Sequence, residues 1–352
     1  MNVSMAHARA RRSDRPLPNM GRSRSRWRRI AVLRSAALPS WPARRPRRAW
    51  WRWGALAVGA CVAPALAIAV LSYRRQIFSY LTHWKGGPDQ TWPYSPHDEP
   101  PPVHLAVVGD TGDSGTHIEA TADTIEQIGA TEPFDALLLP GDMIYPDGDP
   151  ALLDVRVFEP FDGVIAEGAD LLAVLGNHDV SLEKGDEIMQ RLGMPGRWWQ
   201  RVIGDVTIIG LDTTQIDNAD QLAFLERSLE AADTTWTVVA MHHPPYSAGY
   251  QGSSTDVRRA FSPLFERYGV QLVLSGHDHD YQRSEVINGI TYVVSGAGSG
   301  RRLTGTEAFT EVAYAFVHFL DIAAYDDRLV VRAVGSDGTV ADEFELVPAG
   351  MP

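Results

Sequence analysis

Five short polar clusters supply most of the side chains in this 352-residue chain that could carry out chemistry. Each cluster follows an apolar run, and together they offer aspartate, tyrosine, asparagine and histidine. The clusters read Gly-Asp-Thr-Gly (109–112), Gly-Asp-Met-Ile-Tyr (141–145), Gly-Asn-His-Asp (176–179), Val-Ala-Met-His-His-Pro (239–244) and Gly-His-Asp-His (276–279). The set is too rich in oxygen for a structural zinc site and too rich in imidazole for a magnesium or calcium site. It suits a pair of hard or borderline metal ions, such as ferric iron beside a divalent ion.

The elements between the clusters must bring them together. Apolar runs predict strands, and helically spaced apolar residues predict helices. The predicted strands are 103–108, 134–139, 171–175, 236–241 and 270–274, with a hairpin at 202–211 and a strand-rich tail at 290–295, 316–322, 329–334 and 341–346. The predicted helices are 116–128, 151–166, 182–192, 217–232 and 256–268. This alternation predicts an α/β domain whose sheet is covered on both faces, with the clusters meeting at the carboxyl ends of the strands.

The clusters resemble the calcineurin-like metallophosphoesterase superfamily, and more narrowly the purple acid phosphatases. The family pattern is Gly-Asp-x-Gly, Gly-Asp-x-x-Tyr, Gly-Asn-His, Val-x-x-His and Gly-His-x-His. All five blocks occur here in this order between residues 109 and 279, whereas the first hundred residues lie outside the resemblance. The resemblance implies a sandwich of two mixed sheets flanked by helices, and hydrolysis of phosphate esters at a dinuclear metal centre.

The resemblance also implies a ligand role for seven residues. Asp110, Tyr145 and His279 would hold Fe(III), Asp142 would bridge the two ions, and Asn177, His242 and His277 would complete a site for zinc, manganese or Fe(II). Anionic oxygens favour the trivalent ion, and neutral amide and imidazole groups favour the softer divalent ion. A bridging carboxylate would hold the ions about 3.5–4 Å apart, as in two-metal hydrolases.

Two histidines outside the ligand set are candidate catalytic residues. The same resemblance implies that His178 faces the substrate, where it would either stabilise the phosphoryl group or protonate the leaving oxygen, and His243 would line the site. Structural roles stay open beside these, because an aspartate after a strand is often a turn residue and Tyr145 could be a packing residue. If Tyr145 is not a ligand, the chain is a general metallophosphoesterase and not a purple one.

The sequence departs from the family at one point. Many purple acid phosphatases carry a second catalytic histidine shortly after the Val-x-x-His block, but residues 246–256 contain none. We therefore expect selectivity for the leaving group to depend on the loops 246–256 and 296–307. In the second of these loops, Arg301 and Arg302 either reach an anionic substrate or belong to the solvated surface.

The N-terminus predicts the cellular location. Residues 1–53 hold fifteen Arg, no Lys and one acid, which predicts a disordered cytoplasmic segment. The uncharged run 54–72 is long enough to span a bilayer, so it predicts a transmembrane anchor with the catalytic part outside the cytoplasm. The alternative is a cleaved signal sequence, with Ala-Leu-Ala at 65–67 as the cleavage site and a secreted product. Residues 73–102 are predicted to be a Pro/Gly-rich linker and 103–348 the catalytic domain.

Charge and cysteine content narrow the function further. Beyond residue 75 the chain has 15 basic and 43 acidic residues, so no nucleic-acid partner is expected. The single cysteine, Cys61, excludes an intrachain disulfide and any cysteine chemistry in the domain. The leading hypothesis is a phosphomonoesterase acting on small-molecule phosphate esters. The alternatives are a phosphodiesterase or nucleotide-cleaving enzyme of the same superfamily, and a surface binding protein that lost catalysis.

Overall fold

The computed structural model of the chain describes residues 86–348. Two mixed seven-stranded sheets form its framework. The first runs, in spatial order, β1 (Trp92–Pro93), β14 (Thr339–Leu346), β13 (Leu329–Gly335), β12 (His318–Ala324), β2 (Val103–Val107), β3 (Ala136–Leu139) and β4 (Asp170–Ala173). The second runs β11 (Thr310–Tyr314), β9 (Tyr281–Ser284), β10 (Thr291–Ser295), β8 (Leu272–Ser275), β7 (Trp236–Ala240), β6 (Val206–Gly210) and β5 (Trp199–Ile203).

Within residues 86–348, five α-helices connect or cover the strands. They are α1 (Thr116–Gly129), α2 (Asp162–Ala166), α3 (Gly185–Arg191), α4 (Ala219–Glu230) and α5 (Thr255–Tyr268). In each sheet, strands that run parallel lie next to antiparallel ones: β2, β3 and β4 are parallel, as are β6, β7, β8 and β10. The expected sandwich of two mixed sheets with flanking helices is therefore present.

The two largest apolar clusters of the core lie on either side of the second sheet, and strands of that sheet contribute to both. Ile208 and Val238 belong to a large cluster that also contains residues of the first sheet, such as Leu137. Their chain neighbours Ile209 and Val239 belong to the other cluster, together with apolar residues of α4 and α5. Because successive side chains of a strand point to opposite faces, one strand can serve both layers. This explains why these strands are almost continuously apolar.

One predicted helix is replaced by shorter elements. Residues 151–166 were predicted to form a single helix, but the chain forms a 3-10 turn (Pro150–Leu152), a π-helical turn (Asp154–Phe158) and the short helix α2. Pro160 explains the break, since it has no N–H to donate and its ring collides with the preceding helical turn. The prediction of one continuous helix is therefore wrong.

The compact part of the chain begins before residue 103. Residues 92–99 fall in the predicted linker, but β1 pairs with β14 through Trp92–Val340 and Pro93–Thr339. Further along, the hydroxyl of Tyr325 donates to the carbonyl oxygen of Glu99 at 2.8 Å. The stretch from residue 92, which lies within the predicted linker, therefore packs against the domain.

A buried histidine–aspartate cluster fastens this stretch to the first sheet. Nε2 of His97 and Nε2 of His104 lie 3.2 and 2.8 Å from Oδ1 of Asp321. Burial opposes the charge of Asp321, but the two histidines outweigh it and hold the pKa of this carboxyl well below its usual range. The guanidinium of Arg332, 3.4 Å from His97, adds positive charge. The cluster is a buried polar network that joins the stretch around His97 to β2 and β12.

The predictions made for the N-terminus concern residues that the structure does not describe. The Arg-rich segment 1–53 and the apolar run 54–72 lie outside the described residues. Within residues 86–348, none of the helices combines the length and the apolar character needed to cross a bilayer.

Candidate metal centre

The five polar clusters converge because each follows the carboxyl end of a parallel strand. Those after β2, β3 and β4 lie at one edge of the first sheet, and those after β7 and β8 lie at the edge of the second. Three of the predicted ligands, Asp110, Asp142 and His277, have positive φ angles of 57°, 52° and 73°. Residues other than glycine rarely adopt this conformation, and such strain is concentrated at functional sites.

One half of the site is formed by Asp110, Tyr145 and His279. The hydroxyl of Tyr145 lies 3.0 Å from Oδ1 of Asp110 and 3.0 Å from Nε2 of His279. His279 Nε2 is itself 3.4 Å from the same carboxylate oxygen. The backbone N–H of His277 donates to the second oxygen of Asp110 at 2.8 Å and so fixes its orientation.

The other half is formed by Asn177, His242 and His277, with Asp142 between the halves. Nε2 of His242 lies 3.3 Å from Oδ2 of Asp142, 3.2 Å from Oδ1 of Asn177 and 3.3 Å from Nδ1 of His277. Oδ2 of Asp142 also lies 3.4 Å from the hydroxyl of Tyr145. The structure thus brings all seven predicted ligands together, and the same Asp142 oxygen faces both halves.

The donor set fits a cation, because the site holds more lone pairs than protons. Tyr145 has one hydroxyl hydrogen but three acceptor atoms within 3.4 Å. Nδ1 of His242 lies 2.9 Å from the carbonyl oxygen of Pro140, which can only accept a hydrogen bond. In the neutral imidazole, Nε2 of His242 therefore presents a lone pair to its three neighbours. The group Asp110, Asp142 and His242 could hold a metal ion, since its ligand atoms lie within 4.8 Å of one another.

Without a metal ion, a proton on His242 balances part of the negative charge of the two aspartates. Burial lowers its pKa, but Asp142 and Asp110 outweigh burial and raise it to about 10. Burial and the neighbouring charge on His242 lower the pKa of His277 to about 2. Burial and the carboxylate of Asp110 raise the pKa of Tyr145 well above its usual range. A bound cation would replace the proton on His242 and favour ionised tyrosine.

The two predicted catalytic histidines differ in exposure. The side chain of His178 is 39% exposed, and its Nε2 lies 4.0 Å from Oδ2 of Asp142. Its Nδ1 lies 2.5 Å from the carbonyl oxygen of Pro146, which holds the ring against the site. His243 is mostly buried, with Nδ1 2.7 Å from the hydroxyl of Thr213 and its ring 4.4 Å from that of His277. Burial and the nearby His242 lower the pKa of His243 to about 3.

A fully buried carboxylate, Asp179, organises the site without facing it. Its Oδ1 accepts from the N–H groups of Met143 and Ile144 at 3.0 and 3.1 Å, and its Oδ2 accepts from Gly176 at 2.9 Å. It therefore ties the loop after β4 to the loop after β3. Burial and the negative charge of Asp142 raise the pKa of Asp179 to about 7.

A second buried carboxylate, Asp278, plays the same part for the loops at the rim. Its oxygens accept from the backbone N–H groups of Gln251 and Gly252 at 2.7 and 3.1 Å, and from the hydroxyl of Ser247. Sequence reasoning assigned no role to Asp278, although it lies between the two histidines of the last cluster. The signal that could have found it is its position alone, because its partners are backbone groups that no motif records.

Close backbone approach explains the glycines that precede the ligands. Gly141 has φ +86°, and a Cβ there would lie 2.6 Å from Nδ1 of His242. At Gly276 a Cβ would collide with Oδ2 of Asp110. These glycines are therefore part of the site, because any side chain would displace a predicted ligand.

Known proteins share this fold and these clusters. The chain is 29% identical over 230 residues to purple acid phosphatase 21 of Arabidopsis thaliana, covering 57% of this chain and 51% of the relative. It is 30% identical over 212 residues to human tartrate-resistant acid phosphatase type 5, covering 51% of this chain and 64% of the relative. The chain thus spans about half to two thirds of the length of these relatives.

Solved structures show the same architecture. The purple acid phosphatase PPD1 from yellow lupin (Lupinus luteus) seeds aligns with a TM-score of 0.62 at 20% identity, over 70% of this chain and 53% of that chain. GAP50, described as the anchor in the inner membrane complex of Plasmodium, aligns with a TM-score of 0.63 at 19% identity, over 70% of this chain and 89% of that chain. At these identities the likeness concerns the fold alone.

A sequence profile of the calcineurin-like phosphoesterase family matches residues 103–281, which is just over half of the chain and includes all five clusters. The matched residues contain the parallel strands of both sheets whose carboxyl ends position the candidate ligands. The chain therefore belongs to the calcineurin-like phosphoesterase family.

Proposed function

We propose that this protein hydrolyses phosphate monoesters at a dinuclear metal centre of purple acid phosphatase type. The observation that carries the proposal is the convergence of seven potential ligands with more lone pairs than protons. Its relatives named as acid phosphatases support the same activity. The fold alone would not support this activity, because the same fold occurs in a protein described as an anchor.

The chain's own residues have distinct tasks in this proposal. Asp110, Tyr145 and His279 would hold Fe(III), and Asn177, His242 and His277 would hold zinc, manganese or Fe(II), with Asp142 shared. Two such ions, when bound, supply positive charge for the phosphoryl group and acidify the attacking water. They also offset the repulsion that an acidic domain exerts on an anionic substrate.

His178 is the residue that we expect to act on the leaving group. Its Nδ1 is engaged by Pro146, so Nε2 is the atom directed towards the site. From there it can give a proton to the leaving oxygen or neutralise charge on the phosphoryl group. His243 is mostly buried beside the divalent half, and its low pKa leaves the ring without a proton to donate near neutral pH, so we assign it to the wall of the site.

The proposal is tested by comparing aryl phosphate monoester and diester hydrolysis by the purified protein. We expect the monoester to be the better substrate and chelation to abolish the reaction. A protein that cleaves the diester faster would instead be a phosphodiesterase of the same family.

Tyr145 decides whether the centre is of the purple type. A phenolate bound to Fe(III) gives a visible charge-transfer band, so the iron-loaded protein should be coloured and Tyr145→Phe should lose the band. The matched control is Tyr250→Phe, which removes a phenol from the exposed rim. An active, iron-loaded protein without colour, whose spectrum is unchanged by Tyr145→Phe, would rule out the purple-type centre.

We further propose that the catalytic domain lies outside the cytoplasm, anchored by residues 54–72 or released after cleavage. The support is the excess of arginine before the uncharged run. A protease added to intact cells should digest the domain if it is anchored, and the domain should appear in the medium if it is secreted. Digestion only after lysis would reverse the predicted orientation.

A further inference from the structure

A pocket lies beside the candidate metal centre, between the loops 246–256 and 296–307. These are the loops on which selectivity for the leaving group was expected to depend. The pocket has a volume of about 820 Å³ and is lined by Tyr250, Gln251, Arg301, Arg302 and Leu303. We call it the rim pocket. Its first wall comes from the loop 246–256 and its second from the loop 296–307.

Backbone hydrogen bonds connect the rim pocket to the metal-binding segment 277–279. The N–H of Arg302 donates to the carbonyl oxygen of His279 at 2.6 Å. On the opposite wall, the N–H of Gln251 donates to Asp278 at 2.7 Å. The N–H of Gly305 donates to the carbonyl oxygen of Ala248 at 3.1 Å and closes the two loops on each other. Both walls of the pocket are therefore hydrogen-bonded to the segment that carries the predicted ligands His277 and His279.

The rim pocket is positively charged in a domain that is otherwise strongly acidic. Arg301 and Arg302 are both exposed, and neither forms an ion pair with a carboxylate within residues 86–348. Arg301 donates one bond to the carbonyl oxygen of Ala315 at 3.0 Å, which leaves the rest of its guanidinium for other acceptors. The guanidinium of Arg302 lies 5.9 Å from the centre of the Tyr250 ring. Two adjacent arginines beside an aromatic ring form a surface suited to an anion on a short organic group.

We propose that the rim pocket binds a negatively charged group on the leaving alcohol of the substrate. The protein would then prefer phosphate esters whose leaving group carries a carboxylate or a second phosphate, and Arg301 and Arg302 would be its specificity residues. This inference rests on the proposed phosphomonoesterase activity. Residues 246–256 lack the second histidine of many purple acid phosphatases, so the sequence did not identify the group that recognises the leaving alcohol. The proposal assigns this recognition to the rim pocket.

The test compares substrates that share one reacting bond. Propyl phosphate carries an uncharged leaving group, 3-phosphonooxypropanoate a carboxylate, and propane-1,3-diyl bisphosphate a second phosphate. We expect the wild-type protein to show a higher kcat/KM for both charged esters, and the difference to shrink as ionic strength rises. The bisphosphate has two equivalent reacting ends, so half of its kcat/KM is compared with that of the carboxylate ester, and the higher value identifies the anion.

Substitution of the arginines should remove this preference. Arg302→Gln, and Arg301→Gln separately, should lower the ratio of charged to uncharged kcat/KM by about tenfold, as expected for loss of a charge-assisted hydrogen bond. Arg267→Gln is the matched control, because it removes the same charge from an exposed arginine that pairs with Glu226 on the α4–α5 face. A wild-type ratio near one, or an equal loss for all three esters, would overturn the proposal.

A binding measurement separates this proposal from the activity itself. Propylphosphonate and 3-phosphonopropanoate contain a C–P bond that hydrolysis does not cleave, and they differ only in the terminal carboxylate. Calorimetry should show tighter binding of the carboxylate compound to the wild type and a clearly smaller difference between the two compounds in Arg302→Gln. If no ester is hydrolysed but this difference persists, the proposed function fails and the anion site stands. If the esters are hydrolysed without this difference, the anion site fails alone.

Discussion

Replacement of Asp142 by alanine should remove both metal ions and essentially all hydrolysis. One oxygen of this carboxylate lies 3.3 Å from Nε2 of His242 and 3.4 Å from the hydroxyl of Tyr145, so it faces both halves of the site. Its loss also leaves the positive charge of His242 without its main partner. We expect the rate to fall by on the order of 10⁴-fold or more, the size seen when a catalytic unit is disabled.

The measurement is elemental metal analysis beside an ester assay on the same sample. Asp142→Asn separates charge from shape, because asparagine has nearly the same size and shape as aspartate but no negative charge. Asp326→Ala, an exposed residue on the β12–β13 turn, should retain both metals and full activity. A folded Asp142→Ala protein with two metals per chain would exclude Asp142 as the shared ligand.

Replacement of His178 by alanine should keep both metals and still slow the reaction by about 10²–10⁴-fold. The side chain is 39% exposed and lies outside the ligand set, so its removal leaves the buried part of the site intact. The loss should be larger for alkyl than for activated aryl phosphates, because a poor leaving group needs the proton more. No second histidine in residues 246–256 can compensate.

Metal content and the two kcat values together decide this prediction. His117→Ala is the matched control, since His117 is an exposed histidine on α1. If His178→Ala turns over alkyl phosphates at nearly the normal rate, the proton donor is another group. If it loses metal, His178 supports the centre and the rate effect is indirect.

The sequence was sufficient to predict which residues meet. Each predicted ligand follows an apolar strand, and parallel strands place their carboxyl ends at one edge, so the convergence of Asp110 with His279 follows from topology. The two mixed sheets were likewise predicted from the resemblance and are present. The split of neighbouring residues such as Ile208 and Ile209 between two core layers agrees with continuous apolar strands.

What the sequence did not reveal depends on long-range contacts of polar groups. Asp179 and Asp278 are buried carboxylates whose partners are mostly backbone N–H groups, and such partners leave no pattern in the chain. His97 is 224 residues from its partner Asp321, so the attachment of the predicted linker could not be seen. The break at Pro160 was visible, but the helical spacing of the flanking residues outweighed it in the prediction.

The dependence of hydrolysis on the number of bound metal ions tests the central claim most directly. The full chain would be stripped with a chelator and then titrated with iron and zinc while the hydrolysis of an aryl phosphate monoester is followed. Two ions bound by the seven ligands predict no activity in the metal-free protein and a rate that rises until two equivalents are bound. Full activity in the metal-free protein, or saturation at a single equivalent, would contradict a dinuclear centre.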